Sequence, residues 1–144
     1  MTTNKHHHVI GIDAPPGKVY AYVADPSHLV AAMPASNKAH LVSVDRTDDG
    51  RVAGFSVEFK MLPGVKRTAV FTREEDVPGR RIVDHNSLGV VFDYGIAPEA
   101  GGATLTFDWD GPRMMKALDA AFSHSDRDLD AILEDYKRAI EATV

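Results

Sequence analysis

Cysteine is absent from the chain. Its absence excludes disulfide bonds, thiolate nucleophiles and metal or iron–sulfur sites built on cysteine, although it leaves the cellular compartment undetermined. No apolar stretch approaches the roughly 20 residues that a membrane-spanning helix needs, and the N-terminus lacks the charged and then apolar layout of a signal peptide. We therefore expect a cytoplasmic protein without a membrane span.

Positive charge is scarce as well. The 16 lysine and arginine residues are outnumbered by 21 aspartate and glutamate residues, which gives a formal net charge of −5. No run of basic residues is longer than two. A surface that binds nucleic acid needs a basic face to neutralise phosphates. Nucleic acid is therefore not an expected partner.

Several motifs of catalytic and nucleotide-binding sites are missing too. The chain contains no Gly-x-Ser-x-Gly, Walker, Gly-x-Gly-x-x-Gly, His-Glu-x-x-His or EF-hand pattern. The sequence therefore does not support a hydrolase, a nucleotide-binding or dinucleotide-binding protein, a zinc protease or a calcium-binding protein. His6 and His8 share one face of the first strand, but two imidazoles do not make a metal site. An exposed or tag-like strand start is the favoured interpretation of these histidines. We expect no cofactor and no metal.

The residues that are present favour one globular domain. With 144 residues, 44% of them apolar and 26% charged, the chain has the size and composition of a single domain over residues 1–144 with one core. The run VIGIDAPPGKVYAYVADP at 9–26 predicts a strand that ends at Asp13, followed by a helix that begins at the two prolines. A second short helix is predicted near 26–33.

Turn-forming residues divide the middle of the chain. Glycine occurs beside aspartate, proline or a second glycine at regular intervals, and such pairs mark turns. Between these turns lie alternating or β-rich runs, which predict six strands joined as an antiparallel meander. The runs cover residues 38–47, 51–62, 65–76, 80–88, 90–97 and 103–110.

A different periodicity follows Gly111-Pro112. Apolar residues recur at three, four or seven positions with charged residues between them, which predicts an amphipathic helix of up to roughly 30 residues. Because the sheet must bury its apolar face and this helix is the only element large enough to cover it, we predict a two-layer α+β domain. The apolar stripe comprises Met115, Leu118, Phe122, Leu129, Ile132, Tyr136 and Ile140.

Two of these segments resemble a known family. The opening run at 9–26 is similar to the sequence pattern IdAPpekVyayvaD, and the segment PEAGGATLT at 98–106 is similar to the pattern pe.gGT.Lt. Both patterns resemble those of START/Bet v 1-like (SRPBCC) proteins of the polyketide cyclase/dehydrase and lipid-transport type. The resemblance implies a helix-grip fold, in which a seven-stranded curved antiparallel sheet wraps on a long C-terminal helix and two short helices follow the first strand. It also implies a ligand cavity between sheet and helix. The matching motifs report the fold and carry no catalytic residue.

Strand parity indicates which side chains face that space. Successive residues of a strand point to opposite faces, so the alternating apolar residues of each strand point inward. On the hairpin around Gly89, this places Asp84, Asn86 and Tyr94 together on the inner face. A few polar groups among apolar side chains are typical of a small-molecule site. The predicted ligand-binding residues are Phe55, Phe59, Asn86, Phe92, Phe107, Trp109, Met115 and Phe122.

Asp84 and Tyr94 are the candidate catalytic residues. A carboxyl group buried beside aromatic rings has a raised pKa unless it is paired, which would suit a general acid or base. The structural alternative is a core carboxylate that is paired with Arg73 or Arg67 on the neighbouring strand. Both interpretations stay open on the sequence alone.

The adjacent residues Asp84 and His85 do not form a catalytic dyad, because consecutive strand residues point to opposite faces. On the outer face, His85 could instead form a cross-strand pair with Asp93. Such a contact is worth about a few tenths of a kcal/mol. We predict a structural role for that pair.

Three functions remain open. The favoured one is binding of a hydrophobic or aromatic small molecule, such as a lipid, a quinone or a polyketide, in the cavity. The first alternative is a cofactor-independent polyketide cyclase, aromatase or dehydratase, in which Asp84 or Tyr94 moves protons. The second alternative is an interaction or regulatory module. The sequence leaves the ligand, the oligomeric state and the inward face of strand 65–76 undetermined.

Overall fold

The computed structural model describes residues 7–33, 38–62, 64–110 and 125–142. Within these ranges the chain forms an α+β fold of seven antiparallel strands and three helices, as the sequence predicts. The strands are β1 (His7–Ile12), β2 (His40–Arg46), β3 (Val52–Leu62), β4 (Val65–Val77), β5 (Arg81–Asn86), β6 (Val91–Glu99) and β7 (Gly102–Asp110). The helices are α1 (Pro16–Ala24), α2 (Pro26–Ala32) and α3 (Ser125–Ala142).

Two short helices follow β1 because prolines and an aspartate set their boundaries. Pro15 has an extended backbone at the N-cap of α1, and Pro16 occupies the first turn, where its missing N–H costs no hydrogen bond. The backbone is extended again at Asp25, whose carboxylate accepts a hydrogen bond of 3.0 Å from the Ser27 backbone N–H. This bond caps the start of α2. Helix α1 then packs on β6 and β7.

The sheet has the strand order β1-β7-β6-β5-β4-β3-β2. From β2 to β7 each strand pairs with the next one in the chain, which confirms the antiparallel meander, and β1 joins the sheet beside β7. Gly79 and Gly89 close two of the hairpins with φ angles of 76° and 82°, a left-handed conformation that favours glycine. Of the helices in the described ranges, none combines the length and the apolar character that crossing a membrane requires.

The buried apolar side chains form two clusters. In the first cluster, residues of α1, α2 and α3 pack on β1, β5, β6 and β7. The second cluster lies on β3 and β4, where Val30 of α2 packs against it. Leu88 and Phe92 are half-buried and pack against both clusters. The apolar inner face of the sheet therefore continues from one cluster to the other through these two side chains.

The pairing of β1 with β7 leaves no room for a side chain at Gly102. A Cβ atom there would overlap the backbone carbonyl oxygen of Ile12. We expect Gly102→Ala to lower the free energy of unfolding by about 1–3 kcal/mol, the usual cost of overpacking, in urea denaturation. Gly11→Ala on β1 is the matched control, because a Cβ at Gly11 has no heavy atom within 4 Å. Equal losses in the two variants would contradict this explanation.

Candidate functional site

A row of aromatic rings crosses the inner face of the sheet. Phe55 stacks on Phe71 with ring centroids 4.5 Å apart, and Phe71 stacks on Phe92 at 5.7 Å. The rings of Phe92 and Phe107 meet edge to face at 5.3 Å, and the rings of Tyr94 and Phe107 are 4.3 Å apart. These five residues, called the aromatic row below, connect strands β3, β4, β6 and β7.

Several of the predicted ligand-binding residues lie on this inner face. Phe92 is half-buried and lies opposite Trp109 in the register of β6 with β7. The buried aromatic residues among those predicted are Phe55, Phe107 and Trp109. The predicted residues Met115 and Phe122 lie outside the described residues.

Phe71 is a member of the aromatic row that the sequence did not identify. Apolar Val70 and Phe71 are neighbours in the chain, so alternation alone does not assign an inward face to this strand. Strand β3 alternates clearly, and its register with β4 places Phe71 opposite Phe55. Val70 consequently points outward and is 50% exposed. Pairing with β3 was the signal that could have identified Phe71.

Phe59 on β3 lies apart from the aromatic row, near the turn that connects β3 to β4. It is half-buried and packs against the second cluster. It also lines a groove of about 220 Å³ together with Lys38, His40, Glu58, Lys60 and Lys66. Typical small-molecule pockets have volumes of roughly 300–1,000 Å³, so this groove is too small to enclose a drug-sized ligand.

Asp84 forms a buried ion pair with Arg73. Arg73 Nε donates to Asp84 Oδ1 at 2.9 Å and Nη2 donates to Oδ2 at 3.2 Å, with the two side chains only 3% and 1% exposed. The remaining nitrogen, Nη1, donates to the Ala24 carbonyl oxygen at the end of α1 at 3.0 Å. Burial raises the pKa of the Asp84 carboxyl, and the hydrogen bonds from Arg73 oppose that rise. Arg73 is thus the partner that the structural alternative for Asp84 requires.

Asn86 is buried, but its carbonyl group serves the β5–β6 turn. Its Oδ1 atom accepts hydrogen bonds from the backbone N–H groups of Leu88 and Val90, both at 3.0 Å. An asparagine that bonds to the backbone a few residues ahead is a common way to fix a tight turn. The Asn86 oxygen is therefore already hydrogen-bonded within the protein.

Two tyrosine side chains are buried between the sheet and α3. Tyr94 on β6 is 2% exposed and Tyr136 on α3 is 1% exposed. Burial raises the pKa of both hydroxyl groups, and the proximity of Tyr136 raises the pKa of Tyr94 further. The Tyr136 hydroxyl has no hydrogen-bond partner among the described residues. The sequence places Tyr136 on the apolar stripe of the helix but gives no sign that it belongs to a site.

The predicted cross-strand pair of His85 with Asp93 is wrong. His85 Nδ1 lies 3.2 Å from Glu74 Oε1, while Asp93 accepts two hydrogen bonds from Arg81, at 3.1 and 2.6 Å. The register explains the difference, because Val83 and not His85 lies opposite Asp93. Both side chains thus belong to polar contacts on the outer face of the sheet.

An exposed strand start is likewise the wrong interpretation for His8. The residue is 8% exposed, because α3 packs on β1, and His8 Nδ1 lies 2.6 Å from Asp130 Oδ1. His6 lies outside the described residues. Within the parts of the chain that the structure describes, no group of three histidine, aspartate or glutamate side chains is arranged to hold a metal ion.

Comparison with solved structures finds the same architecture elsewhere. No protein-family model matches the chain, and no curated protein matches it. A protein from Chromobacterium violaceum is 21% identical with a TM-score of 0.66, over 94% of this chain and 98% of that chain. A Polyketide_cyc-like protein from Corynebacterium glutamicum is 21% identical with a TM-score of 0.56, over 98% and 91%. The Aha1 dimer from Colwellia psychrerythraea is 15% identical with a TM-score of 0.61, over 94% of each chain.

At these sequence identities the likeness concerns the fold. It extends over nearly the whole length of each chain. The chain therefore has a helix-grip fold, as its sequence motifs predict.

Proposed function

We propose that the protein binds a hydrophobic or aromatic small molecule, such as a lipid, a quinone or a polyketide-like compound, between the inner face of the sheet and the C-terminal helix. The aromatic row is the observation that carries this proposal. Its rings form a continuous apolar layer on the inner face, in which Phe92 is the half-buried member, and ligand sites are lined mainly by hydrophobic and aromatic side chains with a few polar groups. The Polyketide_cyc-like name of one structural neighbour supports the same class of ligand.

Half-buried apolar side chains indicate where the ligand would lie. Leu88 and Phe92 pack against both clusters without being fully buried. Covering their exposed apolar area with a ligand would contribute about 25 cal/mol per Å². Tyr94 and the pair of Asp84 with Arg73 would form the polar end of the same site, since all three side chains lie near one another on the inner face.

The fluorescence of Trp109 should report ligand binding. Trp109 lies opposite Phe92 and is the only tryptophan of the chain, so no second emitter obscures its signal. We expect at least one compound from a panel of quinones, polyketide-like aromatics and fatty alcohols to change this emission and to raise Tm. A ligand at 100 times its Kd stabilises a protein by about 2.7 kcal/mol, or roughly 5–10 °C for a chain of this size.

Phe92→Ala tests whether the aromatic row forms the site. It should weaken binding of the best panel compound by about tenfold or more, because it removes a large apolar contact. Val70→Ala is the matched control, since Val70 is 50% exposed on the outer face of β4, and it should leave the affinity unchanged. The proposal fails if no compound of the panel changes either the emission or Tm of the wild type.

A second candidate function is cofactor-independent cyclisation, aromatisation or dehydration of a polyketide-like substrate. The closeness of Tyr94 to Asp84, beside the aromatic row, favours it. In this scheme Tyr94 is the candidate proton donor, since its hydroxyl group stays neutral, and the carboxylate of Asp84 is held in place by Arg73. Catalysis by Asp84 or Tyr94 stays a prediction, and both functions first require that the ligand binds.

A further inference from the structure

The hydroxyl group of Tyr136 has no structural explanation within the described part of the fold. The side chain is 1% exposed and belongs to the first core cluster, and no described residue forms a hydrogen bond with its oxygen. Burying a hydroxyl group without a partner costs free energy. Phenylalanine would fill nearly the same volume without that cost. The hydroxyl group therefore points to a partner that is not part of the described chain.

The groups that surround Tyr136 are engaged in other contacts. Both carboxylate oxygens of Asp84 accept hydrogen bonds from Arg73. Tyr22 meets the ring of Tyr136 edge to face at 5.3 Å, and its own ring is stacked on that of His28 at 3.7 Å. Tyr94 contributes a second buried hydroxyl group nearby. This end of the site thus holds two tyrosine O–H donors beside a neutralised ion pair.

We infer that Tyr136 donates a hydrogen bond to a neutral carbonyl oxygen of the bound molecule, and hence that the ligand is a ketone or quinone on an apolar ring system. This inference rests on the proposed function and narrows its ligand class. A hydrocarbon would leave the hydroxyl group without a partner. A fatty-acid anion is disfavoured because the charge of Arg73 is already balanced by Asp84 at 2.9 and 3.2 Å, so the pair has no net charge to offer a buried carboxylate.

The test compares two bicyclic ligands that differ in one oxygen, 1-tetralone and tetralin. Wild-type protein should bind 1-tetralone more tightly than tetralin. Tyr136→Phe should weaken 1-tetralone binding by about fivefold to tenfold, which one hydrogen bond is worth, and leave tetralin binding unchanged. The carbonyl stretching frequency of bound 1-tetralone, measured by infrared difference spectroscopy, should be lower in the wild type than in Tyr136→Phe.

Tyr20→Phe is the matched control for removing a tyrosine hydroxyl group. Tyr20 packs against the same core cluster, but its hydroxyl group already donates a hydrogen bond to Asp76 on β4, so removing that hydroxyl group should change neither the 1-tetralone affinity nor the carbonyl frequency. A Tyr136→Phe variant that binds the two compounds with the same ratio of affinities as the wild type would overturn the inference. So would equal loss of both affinities, because Tyr136 would then act only as an apolar wall.

The outcomes for the wild type separate this inference from the proposed function. If an oxygen-free compound binds as tightly as its ketone, or binds where the ketone does not, the inference is wrong and the proposed function stands. If neither these two compounds nor any member of the wider panel binds, both are wrong. An unchanged carbonyl frequency in Tyr136→Phe would also refute the hydrogen bond, whatever the affinities are.

Discussion

Arg73→Met should lower the free energy of unfolding by about 3–5 kcal/mol, the range expected when one member of a buried ion pair is removed. The variant would leave the carboxylate of Asp84, which is 1% exposed, without its two hydrogen-bond donors. It would also remove the donor to the Ala24 carbonyl oxygen at the end of α1, where a cation is favourable. Urea denaturation measured by circular dichroism gives the loss directly.

Two further variants make this prediction specific to the buried pair. Arg81→Met breaks the two hydrogen bonds to Asp93 on the outer face, where the side chains are 47% and 32% exposed, and it should cost less than about 1 kcal/mol. The double variant Arg73→Met with Asp84→Leu should recover much of the loss, because no charge is left buried alone. Equal losses in Arg73→Met and Arg81→Met would show that burial does not matter here.

The ion pair also has a geometric consequence for the site. Arg73 on β4 connects Asp84 on β5 to the C-terminal end of α1, so one side chain fixes the helix against two strands. Tyr94 lies within electrostatic reach of both partners. A guanidinium group can make these three hydrogen bonds in one plane, whereas the ammonium group of lysine cannot reproduce that fork. The pair therefore holds the polar end of the proposed site in position.

Most of the sheet could be predicted from the sequence because two local signals agree. Turn residues define the ends of the strands, and the alternation of apolar residues defines their inner face. The buried residues Leu105, Phe107 and Trp109 on β7 follow from alternation alone. The inward direction of the charged residue Asp84 also follows, because the alternation of apolar residues along its strand assigns it to the inner face.

The pairwise contacts of the site could not be predicted in the same way. Alternation assigns a face, but it does not give the register between strands, so Arg73 and Arg67 were equivalent candidate partners for Asp84. The register places Arg73 opposite Asp84 and Arg67 opposite Phe59. The hydrogen-bonding state of a buried side chain depends on contacts between distant segments. No pattern along the helix therefore distinguishes the hydroxyl group of Tyr136 from its apolar neighbours.

Raising the pH above 10 should unfold the protein in a single cooperative step. Burial raises the pKa of Tyr94 and of Tyr136 above the ordinary value of 10.0, so above that pH the native state keeps two protons that the unfolded state releases. The free energy of unfolding then falls by roughly 3 kcal/mol per pH unit for the two groups together. Since typical stabilities are about 5–15 kcal/mol, unfolding should follow within a few pH units.

Tyrosinate absorbance and far-ultraviolet circular dichroism, recorded on one alkaline titration, measure this step. Burial also raises the pKa of Tyr20 and Tyr22, so all four tyrosines of the chain act in the same direction, and the two signals should change together. Tyr136→Phe removes one of the two fully buried groups and should reduce the slope of unfolding free energy against pH by about 1.4 kcal/mol per pH unit. Gradual ionisation near pH 10 with unchanged circular dichroism would mean that Tyr94 and Tyr136 are open to solvent, and it would remove the dry polar end on which the proposed carbonyl contact depends.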